Sequence, residues 1–139
     1  MRKLMVGGLV ILLAGIIASP CAAQKAEEAA QSSAREWLAL VDSGKYAESW
    51  KEAAPYFKAN VSEEQWEKTL RGTRVPLGAV ASRKLVSATY ATSLPGAPDG
   101  QYVVIKYESS FEHKKSAVET ITPMLDKDGR WRVSGYFIK

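Results

Sequence analysis

The chain has 139 residues, 46% of them hydrophobic and 9% aromatic, which is enough for one core and too little for two domains. A formal net charge of +4 is too small for a nucleic-acid binder. The single cysteine rules out an intramolecular disulfide framework.

The first residues read as an export signal. Arg2 and Lys3 give a positive start, Leu4 to Ile17 form an apolar run, and Ser19-Pro20-Cys21-Ala22-Ala23 supplies small residues for cleavage, most simply after Ala23. The run is shorter than the roughly 20 apolar residues of a membrane span, so the mature protein is expected in the periplasm or outside the cell with no stable span. A lipoprotein signal ending at Cys21 is the alternative, although Pro20 stands where that motif takes Gly or Ala. If cleavage follows Ala23 the only thiol leaves with residues 1–23, and disulfide, thiol-redox and cysteine-nucleophile chemistry go with it. The remaining charge is uneven. Residues 24–70 hold 6 basic and 9 acidic groups, and residues 71–139 hold 11 and 6.

Lys25 to Ser43 reads as a helix, with residues 24–33 a flexible lead and the domain proper spanning 34–139. Ala30, Ala34, Trp37, Leu38 and Val41 fall on one face, and Gly44 is placed to end the helix in a left-handed cap. A second helix starts near Lys45 with Tyr46, Trp50, Ala53 and Phe57 in one stripe. Pro55 cannot donate its backbone hydrogen bond, so this helix bends or stops around Ala54. Ser62-Glu63-Glu64-Gln65 is a capping box opening a third helix, with Val61 and Trp66 as its hydrophobic staple. Gly72 and Pro76 close it.

From Ser82 the period changes to two. Strands are predicted over Arg83 to Thr92, Gln101 to Glu112, Ala117 to Leu125 and Arg130 to Ile138. Turns fall at Leu94 to Gly100, at His113 to Ser116, and at Asp126-Lys127-Asp128-Gly129. In the second strand Val103, Ile105, Tyr107, Ser109 and Phe111 share one face, with Lys106, Glu108, Ser110 and Glu112 on the other, solvated one. In the last strand Trp131, Val133 and Phe137 line the apolar face, and Gly135 marks a bulge or a close approach by another part of the chain. The fold class is therefore α+β, with three N-terminal helices packed on a curved four-stranded antiparallel meander.

From about Ala34 onward the chain resembles the exported bacterial family called domain of unknown function 4019 (DUF4019). The matching words are Trp37-Leu38 with Val41-Asp42-Ser43-Gly44, Tyr46-Ala47 with Ser49-Trp50, Trp66, Pro76-Leu77-Gly78 with Ser82-Arg83, and Pro98-Asp99-Gly100. They continue in Glu108-Ser109 with Phe111, Glu119-Thr120 with Thr122, and Trp131-Arg132-Val133-Ser134-Gly135-Tyr136. The order of elements is similar to the nuclear-transport-factor-2-like (NTF2-like) group, whose sheet and helices form a cone with a pocket. The resemblance implies that half-cone fold and carries no activity.

Trp37, Trp50, Trp66 and Trp131 lie on apolar faces, where they fill the core or line a cavity within it. Glu119 shares its strand face with Ala117, Ile121 and Leu125, and a carboxylate there needs either a raised pKa or a partner such as Arg74, Arg83 or Tyr107. Arg83, Tyr107, Ser109 and Glu119 thus join the four tryptophans as candidate pocket residues. The lone histidine, His113, sits exposed at a hairpin tip. Zinc-protease, nucleophile-elbow and phosphate-loop patterns are missing, so no catalytic, metal or cofactor residues are assigned. The first functional expectation is a non-enzymatic module that holds a small amphipathic ligand or a protein partner. The alternative is a pocket enzyme of ketosteroid-isomerase type, with Glu119 moving a proton and Tyr107 supporting an oxyanion. A sheet-mediated homodimer is a third expectation.

Overall fold

A computed structural model describes residues 20–139. Helix α1 spans Pro20–Asp42, α2 Tyr46–Glu52, α3 Pro55–Asn60 and α4 Glu63–Thr73. A 3-10 turn at Val75–Leu77 leads to β1 (Val80–Ala91), β2 (Tyr102–Phe111), β3 (Lys114–Leu125) and β4 (Trp131–Ile138). The strands pair antiparallel in the order β1-β2-β3-β4, an open meander with the helices against it. The expected signal run, Leu4 to Ile17, lies outside the described residues, and Cys21 is an exposed residue of α1. Among the described residues no helix is long and apolar enough to cross a membrane.

The buried stripe of α1 is Ala30, Ala34, Trp37, Leu38 and Val41, as the spacing predicts. Ala30 is fully buried, so packing begins one turn before Ala34. Gly44, at φ +74, ends the helix in a Schellman motif: Gly44 N–H donates to Val41 O at 3.0 Å and Lys45 N–H to Leu40 O at 2.9 Å. The capping box of α4 is complete, with Gln65 N–H on Ser62 Oγ and Ser62 N–H on Gln65 Oε1, both at 3.2 Å.

The described residues form four α-helices rather than three. Proline disfavours a helical residue before it yet suits the first helical position. Ala54 is accordingly extended (ψ 146) and Pro55 starts α3. The break releases the Ala54 N–H, which donates to Val133 O of β4 at 2.8 Å. One proline thus ends a helix, begins another and docks the corner on the sheet.

The β2–β3 turn is tighter than predicted, consisting of Glu112 and His113 alone. The last strand differs more. Thr122 pairs with Gly135 but Pro123 with Val133, so Ser134 is an extra residue and a bulge is present beside Gly135. Pro123 is fully buried and has no N–H for a ladder bond, a position that sheets tolerate at a bulge. The inserted residue reverses the side-chain alternation. Val133 points into the core, Tyr136 packs on Trp37 at 5.3 Å between ring centroids, and Phe137 is 55% exposed. The expected placement of Phe137 on the apolar face is corrected accordingly.

Candidate functional site

Three of the four tryptophans are structural. Trp37 and Trp66 are buried, and the fully buried Ser49 of α2 serves both. Trp37 Nε1–H donates to Ser49 O at 2.8 Å, Trp66 Nε1–H donates to Ser49 Oγ at 3.0 Å, and Ser49 Oγ–H donates to Tyr46 O at 2.7 Å. Trp50 is half-buried against the core and donates to Val61 O at 2.7 Å. Trp131, at the start of β4, is half-buried, and among the described residues its indole N–H has no acceptor. Its backbone oxygen accepts from Ser33 Oγ–H at 2.6 Å.

Arg83, Ser109 and Glu119 come together at the inner face. Glu119 is fully buried. Its Oε1 accepts from Arg83 Nε at 2.7 Å and from Ser109 Oγ, and its Oε2 accepts from Arg83 Nη2 at 3.1 Å and from the Tyr136 hydroxyl. Arg83 also grips Asp42 at the end of α1, with Nη1 to Oδ2 at 2.8 Å and Nη2 to Oδ1 at 3.0 Å. Arg74 binds the same Asp42 at 2.8 Å and lies over the Phe111 ring at 4.9 Å. Two arginines thus balance two carboxylates, and the cluster ties α1, the end of α4, β1, β2, β3 and β4 together.

This cluster is tuned to stay charged. Burial alone would raise the Glu119 carboxyl, but hydrogen bonds from Arg83, Ser109 and Tyr136 and the Arg83 charge outweigh it and hold the group below the ordinary carboxylate range. Burial acts the same way on Asp42 and is likewise overcome by Arg83 and Arg74. The Tyr136 phenol is pushed far up by burial and then by the Glu119 charge. Four donors fill the four acceptor positions of the Glu119 carboxylate. What remains is a weak base with no free lone pair.

Of the partners expected for Glu119, only Arg83 binds it. Arg74 reaches Asp42 instead. Tyr107 pairs with Glu119 in the β2–β3 register, yet among the described residues its buried hydroxyl has no hydrogen-bond partner. Asp42 and Tyr136 were not anticipated: a helix-end aspartate carries no distinctive signal, and the Ser134 bulge hides the inward turn of Tyr136.

Open depressions lie to either side of this cluster, one of about 340 Å³ lined by Ser109 and one of about 200 Å³ lined by Trp66 and Tyr136, and a further one lies apart from it. A cleft of about 280 Å³ opens between α1, α2 and the start of β4, lined on α1 by Glu36, Trp37 and Leu40, on α2 by Glu48 and Glu52, and by Arg130 and the first three residues of β4. Of the predicted pocket residues it holds Trp37 and Trp131. Arg83, Tyr107 and Glu119 are not among its walls. Glu36, Glu48 and Glu52 are exposed and have no cation within 4 Å among the described residues. Arg132 is held by Asp126 at 2.7 Å and by Asp128 at 2.8 Å. The sequence did contain one clue: Glu48 and Glu52 stand four apart on a short helix, a like-charge pair that works against that helix. No cluster of three or more histidine, cysteine or carboxylate side chains able to hold a metal occurs among the described residues.

Comparison with curated proteins gives no match. Residues 33–136 match the family described as protein of unknown function (DUF4019), and the chain belongs to that family.

Proposed function

We propose that the mature chain is an exported, non-enzymatic binding module whose ligand sits in the cleft between α1, α2 and the start of β4. The observation that carries this reading is Trp131. Three tryptophans spend their indole N–H on the fold, whereas Trp131 keeps its own free beside an open, charged cleft. Aromatic surface with a few convergent polar groups is the usual make-up of a small-ligand site. The signal-like N-terminus, Arg2 to Ala23, supports export. The isomerase alternative lacks such support, because Glu119 is saturated by donors and lines none of the three clefts described, which it borders only through Ser109 and Tyr136.

The test is native mass spectrometry of the protein purified gently from the periplasm. A reproducible added mass, released on denaturation and lost in Trp131→Ala, is the expected result. An apo protein, or a mass retained by Trp131→Ala, would remove the cleft from consideration.

A second reading rests on Phe137 and Val118. They are 55% and 40% exposed, and the register makes them diagonal neighbours on the outer sheet face. A sheet-to-sheet homodimer would cover them. Light scattering that finds a monomer at high concentration counts against it.

A further inference from the structure

We propose that the edge of β1 is an interaction surface for a second copy of this chain, held shut by Glu27 of α1. The surface is separate from the cleft and does not depend on it. The sheet is open, so its two outer strands, β1 and β4, each present backbone groups that another strand can pair with.

The edge of β4 is closed by the helices. Trp131 O accepts from Ser33 Oγ–H at 2.6 Å, and Val133 O accepts from Ala54 N–H at 2.8 Å. The edge of β1 is defended unevenly. Register shifts between Val80 and Ser82 and between Leu85 and Ser87 break its first half, and the regular stretch between them carries Arg83 and Lys84. From Ser87 to Ala91 the pairing with β2 runs without interruption. Leu85 to Thr92 contains no charged residue and no proline, and Leu85 and Val86 are 43% and 54% exposed. An uncharged run of this kind, rich in β-formers, has nothing to repel its own copy. The defence of this second half is a single side chain. Glu27, half-buried on α1, accepts from the Tyr90 N–H at 3.3 Å, just beyond the usual range for such a bond.

That bond also sets the register of the proposed pair. It shows that the Tyr90 N–H points away from β2, and the period of two turns Ala88 the same way. Two copies joined antiparallel with Thr89 on the two-fold axis place Ala88 of each opposite Tyr90 of the other, where the two residues exchange their backbone hydrogen bonds. Thr89 is exposed and meets Thr89 of the second copy. The Tyr90 N–H serves either Glu27 or the second copy, so the two states exclude each other. Val118 and Phe137 take no part, which separates this pairing from the sheet-to-sheet contact.

The test is made in the Phe137→Ser chain, which removes that contact, by sedimentation velocity over a concentration series and by amide exchange at Tyr90. The parent is expected to stay a monomer. Glu27→Ala, at a half-exposed position where alanine suits the helix, is expected to raise its apparent mass about twofold as concentration rises. In the dilute monomer it should speed Tyr90 amide exchange at least about tenfold, and in the dimer protection should return. Adding Thr89→Lys puts like charges opposite each other on the axis and is expected to restore the monomer without restoring Tyr90 protection. Glu27→Ala that stays monomeric at every concentration would overturn the second copy as occupant. A dimer that survives Thr89→Lys would overturn the β1 edge as its seat. A parent that already dimerises and is made monomeric by Thr89→Lys would overturn the role of Glu27.

Discussion

Arg83 of β1 reaches Glu119 of β3 over the strand between them, placing Nε 2.7 Å from Oε1 and Nη2 3.1 Å from Oε2. Adjacent strands lie about 4.8 Å apart, so the arginine spans two such steps above Ser109, its own partner on β2. The route is open because Ser109 is small, and its hydroxyl joins the same carboxylate. The pair therefore clamps three strands, and through Asp42 it adds the end of α1.

Removing one member of a buried ion pair strands the other. Glu119→Gln keeps the shape of the side chain but leaves Arg83 with Asp42 as its only counter-charge, and is expected to destabilise the protein by about 3 kcal/mol. Urea unfolding measures it. A loss below about 1 kcal/mol would mean that Glu119 is dispensable to the fold.

The same carboxylates give stability a pH dependence of defined sign. Glu119 and Asp42 have folded-state pKa values below their unfolded ones, so the unfolded chain binds more protons and stability rises with pH. Their contribution is complete above the unfolded values near pH 4 and is lost as pH falls through the folded values. Tyr136, raised by burial and by Glu119, acts at the other end. Its contribution is complete below the unfolded tyrosine value near pH 10 and declines above it, with Tyr107 and Tyr102 adding in the same direction. Thermal melts across pH should show a plateau between these limits, and Glu119→Gln should flatten the acid side. An acid limb unchanged in that variant would assign the effect to other groups.

Tyr107 tests the orphan hydroxyl. Its O–H is buried without a partner, and removing such a group relieves a desolvation penalty instead of breaking a bond. Tyr107→Phe should leave stability unchanged or raise it by up to about 1 kcal/mol. A loss of 2 kcal/mol or more in the unfolding free energy would reveal a bond that the structure does not contain.

The helices were readable because each carries its own local signal. The Ser62 box, Gly44 and the Trp37 stripe act within a few residues. The sheet order followed from short connections, and the inward face of β2 from unbroken alternation through Tyr107 and Ser109. Apart from the Tyr46 to Phe57 stripe, which Pro55 divides into two helices, what failed did so where a strand gains a residue, since a bulge reverses alternation and leaves no mark in composition beyond Gly135 and the distant Pro123. The cleft was half legible: Trp37 and Trp131 stood out as aromatics, while Glu36, Glu48 and Glu52 looked like ordinary solvated helix charges until the packing of α1 on α2 brought them to one opening.

The tryptophans should divide by role. Trp37 is 3% exposed, and Trp37→Ala is expected to cost about 3 to 5 kcal/mol. Trp131 is half-exposed at the cleft, and Trp131→Ala should cost about 1 to 2 kcal/mol, nearer the average for point changes. Chemical denaturation of the two variants side by side decides it. Equal losses would return Trp131 to the core and leave the cleft without its distinguishing residue.

Phe137 offers the sharpest test of the bulge. If alternation ran unbroken from Trp131, Phe137 would face the core and Phe137→Ser would cost as much as a large core truncation, 3 kcal/mol or more. With Ser134 inserted, Phe137 faces outward and the change should fall within about 0.5 kcal/mol. Tyr136→Phe completes the comparison. It removes the hydroxyl that donates to Glu119 and should cost about 1.5 to 3 kcal/mol, the range for a hydrogen bond to a charged group. A neutral Tyr136→Phe with a costly Phe137→Ser would put the strand back in simple alternation. It would also detach Tyr136 from the Arg83–Glu119 cluster.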